Sequence, residues 1–356
     1  MGTNFIDSQR ISSAPGSGRG SSTCLNLCSS TTRRQSCRQH GRAFRSIGNP
    51  ASSNLHVTYA GDSVNLQMGA SVQSDRGVGR SVASNDEMST VGWRAFVDQV
   101  SGEWDGVCVV FDTDGTPREL PEYYVPQAYR DWDVKLYDWQ CQCSMHCPDV
   151  SVQSISTVTR KLMPTVGCEA DAIAFTEDGQ TNSFIFSNCG LATQNPTEDL
   201  LLNESAFDCK AEHILTLDEG SRIRFIHLLK RMGSERKWKV NSIEIYVEKR
   251  DGPYTGRREL AGCGGGMDPF AKTEAMADPV GTVSRFSQDL GKKVGSCDTI
   301  IGLPQNCWTS FTCDPDELII DIHAGVVSQD GTSMASVHQK SIRGQLVESS
   351  LRRFPQ

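Results

Sequence analysis

The sequence predicts an all-β protein: two tandem antiparallel β-barrels, the second smaller, behind a short N-terminal helix and a disordered leader. Three observations carry this reading. Apolar runs of strand length are separated by Asp-Gly or Glu-Gly pairs, which favour tight hairpin turns. The segment Asn241–Lys249 alternates apolar and polar side chains with the period of a half-buried strand. A clear helical stripe precedes these strands, where Trp93, Phe96, Val97 and Val100 fall at i, i+3, i+4 and i+7.

That stripe predicts a helix ending before Gly102, a residue suited to a helix stop. "GVCVVFD" follows as a strand, turning at Asp114-Gly115. "DAIAFTEDGQTNSFIF" predicts a hairpin centred on Asp178-Gly179, and "AEHILTLDEGSRIRFIHLL" one at Glu219-Gly220. In "NSIEIYVEK", Ile243, Ile245 and Val247 alternate with Glu244, Tyr246 and Glu248. Successive hairpins form an up-and-down meander, and closing it removes the exposed edges. After the loop-like run "RRELAGCGGGMDPFAKTEAMADPVG", strands return in "KVGSCDTIIGL", "CWTSFTC", "ELIIDIHAGVVSQDG" and "GQLVESSLRRF". The organisation predicted is a plastid transit peptide over 1–55, a linker over 56–90, a first barrel over 91–251 and a second over 252–356.

Charge and cysteine content narrow the function. The chain has 356 residues and a net charge of −8. Its first 60 residues hold seven arginines and one acid, Asp7, and are rich in serine, the composition of a transit peptide. With that +6 removed, the remainder carries −14, which disfavours binding to nucleic acid or anionic membranes. No apolar run approaches the roughly 18 residues of a membrane span, and no secretory h-region is present. Three of the 14 cysteines (Cys24, Cys28, Cys37) lie in the leader, leaving an odd, irregularly spaced eleven. That pattern predicts reduced thiols rather than a secreted disulfide framework.

The order helix, "SGEWDG", strand resembles the opening of the calycin barrels, whose first strand begins Gly-x-Trp. In that family the tryptophan plugs one barrel end under a late basic residue, which makes Gly102, Trp104 and Arg250 the barrel-closing residues. Over residues 92–356 the chain resembles the two-barrel lipocalin-like (calycin) family of cyanobacteria and plastids. The resemblance rests on Trp93, Phe96 and Gly102-Glu103-Trp104-Asp105-Gly106, and on "GLPQNCW", "ELIIDIHAGVV" and "QLVESSLRRF" near the C-terminus. "ELPEYYVPQAYRDWDVKLYDWQCQC" is similar to the plant branch, whose members include a chloroplast ATP synthase biogenesis factor. The second barrel shows no "GEWxG" start. The resemblance implies a non-enzymatic stromal assembly factor that binds subunits of a photosynthetic complex, the catalytic head of ATP synthase being the expected partner. The alternative is a carrier of a small apolar ligand or tetrapyrrole, or bilin-lyase-like chromophore handling. No cofactor is expected.

For partner binding, Leu120–Val134 offers Tyr123, Tyr124, Tyr129, Arg130 and Trp132, the residue types of binding hot spots, or else a loop covering the barrel mouth. Cys141, Cys143, His146 and Cys147 are metal candidates, since all four side chains can ligate zinc. However, no second Cys/His pair of matching spacing follows, and packed thiols at a strand end are favoured. The acids Asp131 and Asp133, and Asp314, Asp316 and Glu317, would serve acid–base catalysis only in a cleft. "GCGGGMDP" lacks the Gly-Lys-Ser/Thr ending of a phosphate loop. His213, His227 and His323 are read as satisfied imidazoles in strands, and the basic run Leu229–Lys239 as a solvated hairpin tip.

Overall fold

The computed structural model describes residues 85–166, 173–182, 185–187, 190–194, 196, 198–203, 205–233, 237–256 and 269–355. The transit peptide, most of the linker and nearly all of "GCGGGMDP" lie outside them. Helix α1 (Asn85–Val100) begins six residues inside the span expected as linker and buries the whole predicted stripe. The chain leaves it through Gly102, whose φ is 149° and where a Cβ would sit 2.8 Å from the Gly252 carbonyl oxygen. The conformation and the close approach both select glycine there.

Nine strands follow: β1 (Gly102–Phe111), β2 (Asp138–His146), β3 (Ser154–Leu162), β4 (Ile173–Asn182), β5 (Ile185–Phe186), β6 (Leu191–Gln194), β7 (Asp208–Thr216), β8 (Ser221–Met232) and β9 (Lys237–Gly252). Short helices α2 (Gln127–Asp131) and α3 (Glu198–Leu202) sit in the connections. The strands form one antiparallel sheet in the order β4-β3-β2-β1-β9-β8-β7-β6-β5, so the last strand pairs with the first. The sheet curls into a half-barrel: an ion pair between Glu177 of β4 and Lys210 of β7 links strands far apart in that order. β4 and β5 stay its two edges, so among the described residues the ladder stops short of a closed barrel.

The Asp114-Gly115 and Glu219-Gly220 turns form as expected, Gly115 with φ of 86°. Asp178-Gly179 does not turn. Strand β4 runs straight through it, with Asp178 opposite Val158 and Gly179 opposite Thr157. A continuous ladder to β3 overrides the local turn preference there.

A second sheet, β10 (Thr299–Gly302), β11 (Cys307–Asp314), β12 (Ile319–Val327), β13 (Ser333–Ile342) and β14 (Gln345–Pro355), is an antiparallel meander of five strands in chain order. It too remains open, with β10 and β14 as edges. Helices α4 (Pro279–Phe286) and α5 (Gln288–Gly295) lead into it, α4 starting in the last residues of the expected loop and α5 ending inside the expected strand "KVGSCDTIIGL". Their start signals were visible: Asp278 caps α4 by accepting from Gly281 N at 2.9 Å, ahead of Pro279, and Ser287 caps α5. Val283, Leu290 and Val294 pack with Trp308, Val327 and Met334 on one face of this sheet.

The opposite face packs on the outside of the half-barrel. Val109, Phe225, Ile243 and Ile245 of the first sheet share one apolar core with Phe311, Ile322, Ala324 and Val337 of the second. Both sheets therefore share one core, and the expected boundary at 251/252 falls at the end of β9. No helix among the described residues is long and apolar enough to cross a membrane.

Gly325 lies opposite Trp308 and gives the indole its seat. A Cβ at 325 would stand 2.5 Å from the ring. Gly325→Ala is expected to destabilise the fold by about 1–3 kcal/mol through this overpacking, read as a lower urea midpoint.

Candidate functional site

The inside of the half-barrel is charged. Alternation along β8 and β9 turns Ile223, Phe225, Ile243 and Ile245 toward the second sheet. The same alternation sends Arg222, Arg224, Glu244, Tyr246 and Glu248 inward. Arg222, Arg224 and Glu248 are at most 2% exposed. Glu248 accepts from Arg222 Nε at 2.6 Å and from Arg224 Nη2 at 2.9 Å, and Arg224 Nη1 reaches Glu212 at 3.1 Å. Burial alone would raise the Glu248 carboxyl, but the two guanidiniums outweigh it and hold the group at about 2.

One end of this interior is plugged by α1 and Trp104. The indole lies between Arg222, 3.9 Å from its centroid, and Arg250 at 4.7 Å. Its Nε1 donates to the Val100 carbonyl at 3.1 Å, and Arg222 Nη1 donates to the same oxygen at 3.0 Å. Arg250 Nη1 donates to Ser101 O at 2.8 Å. Bare carbonyls at the helix C-terminus are thus met by two cationic side chains and an indole. Gly102, Trp104 and Arg250 come together, and the sequence reading did not single out Arg222.

Toward the other end, Lys161 pairs with Glu244 at 3.1 Å, and Tyr246 donates its hydroxyl to Glu244 at 2.8 Å. Beside them lie Cys108, Cys141 and Cys143, all free and buried. Burial pushes the Cys108 thiol up to about 12 and raises Cys141 and Cys143. Protonated thiols of this kind are poor nucleophiles and poor metal ligands. Among the described interior groups, each charge is paired and no histidine is present. These paired charges fix the shape of the interior.

Two spaces remain. One, of about 320 Å³, opens at the mouth between Tyr123, Tyr124, Trp139, Phe175, Lys161 and Glu244. A smaller one, of about 140 Å³, lies between Glu177, Lys210, Glu212 and Arg224, where β4 approaches β7.

The aromatic segment spans that mouth. Tyr124 packs edge-on against Trp139 at 5.1 Å, and the Tyr129 hydroxyl donates to Thr165 O at 2.9 Å. Tyr123 and Trp132 face outward, 75% and 61% exposed, and Arg130 pairs with Glu122 at 3.5 Å. The five candidates therefore divide between covering the mouth and facing solvent.

The cysteine-rich strand end does not bring its four candidate ligands together. Cys141 and Cys143 point into the half-barrel, where Arg222 donates to the Cys143 sulfur at 3.4 Å. His146 instead stacks on Tyr254 at 3.9 Å, and Cys147 donates to Asp149 O. Strand alternation and the turn after His146 separate the four ligands. Asp131 and Asp133 are exposed; Asp314 accepts from the backbone of Asp316 and Glu317 in a turn. The basic run is engaged locally: Arg231 lies over Trp238 at 4.9 Å and donates to Leu201 O, and Lys237 pairs with Asp316.

Four of the described histidines fall into two pairs. His213 and His227 are fully buried between the sheets, edge to face at 5.3 Å. Each has one ring nitrogen on a threonine, Thr193 at 2.6 Å and Thr309 at 2.9 Å; the other nitrogen has no partner. They are thus half-satisfied, not fully satisfied as expected. His323 and His338 stand directly opposite each other on the helix-covered face of the second sheet, stacked at 3.9 Å. Both approach Asp321. His338 was not singled out from the sequence, although it is two residues past Ser336 in a strand of matching alternation.

No protein-family model matches the chain, and no curated protein matches it. Among solved structures it is similar to a protein of unknown function from the DUF3598 family of Nostoc punctiforme. The match has 13% identity and a TM-score of 0.41, covering 74% of this chain and 98% of that one. A likeness of that degree assigns neither a family nor an activity.

Proposed function

We propose that the protein is a non-enzymatic plastid assembly factor, working in the stroma, that binds subunits of a photosynthetic complex. The observation that carries this reading is the mouth segment. Tyr124 and Tyr129 anchor it to the half-barrel, leaving Tyr123 and Trp132 exposed on a supported surface. Pre-ordered aromatics of this kind bind a protein partner at low entropic cost. The interior agrees with this reading, because buried ion pairs such as Glu248 with Arg222 and Arg224 line it where a carrier of an apolar ligand has mainly apolar walls. The catalytic head of chloroplast ATP synthase is the named partner, on the strength of the sequence resemblance alone.

The test is capture from plastid stroma by the tagged mature protein, followed by mass spectrometry. ATP synthase subunits are expected in the eluate. Tyr123→Ala combined with Trp132→Ala is expected to weaken capture by about 30-fold or more, as for hot-spot truncations of about 2 kcal/mol, with the unfolding midpoint unchanged. Recovery of bound pigment without any synthase subunit would overturn the proposal. That outcome would favour a second reading, in which the mouth cavity of about 320 Å³ carries a small apolar ligand. Such a volume is at the lower end for ligand pockets.

A further inference from the structure

We infer that Asp321, His323 and His338 form a binding site for a borderline divalent cation such as Zn2+. The three lie on one face of the second sheet. Asp321 and His323 are two residues apart on β12, and His338 is the cross-strand partner of His323 on β13. Among the described residues, this is the group of three or more His, Cys or acidic side chains whose ligand atoms converge, all within 4.8 Å of one another.

The spacing suits a metal. Asp321 Oδ1 is 2.9 Å from His338 Nε2 and 3.5 Å from His323 Nε2. Zinc bonds of about 2.0–2.1 Å in tetrahedral geometry put neighbouring ligand atoms roughly 3.3 Å apart, between those two values. Two imidazoles and one carboxylate with a further position open is a donor set that zinc accepts. Both rings are held by burial, His323 at 2% and His338 at 3% exposure, so little order is lost on binding.

The surroundings supply what such ligands need. Glu348 Oε1 lies 3.9 Å from His338 Nδ1, placed to orient that ring once its Nε2 is engaged. Lys340 Nζ holds the other Asp321 oxygen at 3.2 Å, leaving Oδ1 for the ion. Binding tilts the two rings out of their 3° stack toward a common ion, a rotation about a soft side-chain torsion.

The experiment uses the full chain, stripped with a chelator and titrated with Zn2+ and, separately, Co2+. One ion per chain is expected, with a higher unfolding midpoint and a Co2+ spectrum of nitrogen and oxygen ligands free of thiolate charge transfer. His323→Gln and His338→Gln are each expected to lower affinity about 100-fold or more. Asp321→Asn, partly exposed and nearly isosteric, gives the same reading should a histidine variant fail to fold. Lys340→Met is expected to tighten binding by removing a cation next to the ligand carboxylate. No saturable uptake by the wild type, equal uptake by the Asp321 and histidine variants, or a thiolate band would each overturn the site.

Discussion

Glu248→Ala is expected to lower the stability of the folded chain by about 3–5 kcal/mol. The mutation removes the one carboxylate that both Arg222 and Arg224 share, at 2.6 Å and 2.9 Å. Arg224 keeps Glu212, and Arg222 keeps only the Val100 carbonyl, two sulfur contacts and the face of Trp104. A guanidinium as buried as Arg222 or Arg224 has little access to solvent to replace the lost charge. Glu248→Gln keeps the volume and some hydrogen bonds and is expected to cost less. Urea unfolding followed by tryptophan fluorescence measures both, since Trp104 sits against Arg222. A loss below about 1 kcal/mol for Glu248→Ala would mean that these charges are solvated, as surface pairs are.

The second large effect is loss of stability in acid. Burial holds His227 at about 3, and burial followed by the nearby His227 lowers His213 well below its ordinary value. Unfolded histidine titrates near 6.5. The native state therefore keeps both rings neutral while the unfolded chain takes up protons. Stability is full above about pH 6.5 and falls as pH drops toward 3, by about 1.4 kcal/mol per unit for each ring. Glu248 adds a second phase with its own sign. Its native value of about 2 lies below that of the unfolded group, so its contribution is present above about pH 4.5 and is lost as pH falls toward 2. Urea midpoints taken between pH 7.5 and 4.5 are expected to fall steeply. His227→Gln should flatten that fall by about one proton. A wild-type midpoint constant from pH 7 to 5 would contradict the buried neutral imidazoles.

Much of the fold was legible because local chemistry dictated it. The stripe at Trp93, Phe96, Val97 and Val100 has a single amphipathic solution, and Gly102 is required by its φ and by the nearby Gly252 carbonyl. The Asp114-Gly115 and Glu219-Gly220 turns formed where expected. Asp178-Gly179 has the same local preference but sits in a ladder with β3, and pairing energy decided its conformation. The helices α4 and α5 were missed although Asp278-Pro279 and Ser287 announced them, because their apolar stripes are too short to stand out without the sheet they cover.

The candidate sites were less legible, for one physical reason. Sequence alternation assigns residues to two faces of a strand but does not say what covers each face. In β9 it separated Ile243 and Ile245 from Glu244, Tyr246 and Glu248 correctly. A half-buried strand would have shown the second set to water; the curled sheet closes over it, and Arg222, Arg224 and Lys161 from other strands take the place of solvent. The convergence of Asp321, His323 and His338 likewise depends on the register that sets residue 323 against 338. The sequence by itself determined the β class and the helix before it; the Trp104 plug was expected from the calycin resemblance. Only the tertiary structure decided which polar faces are interior and which distant ligands meet, because both depend on sheet curl and strand register, which no local segment encodes.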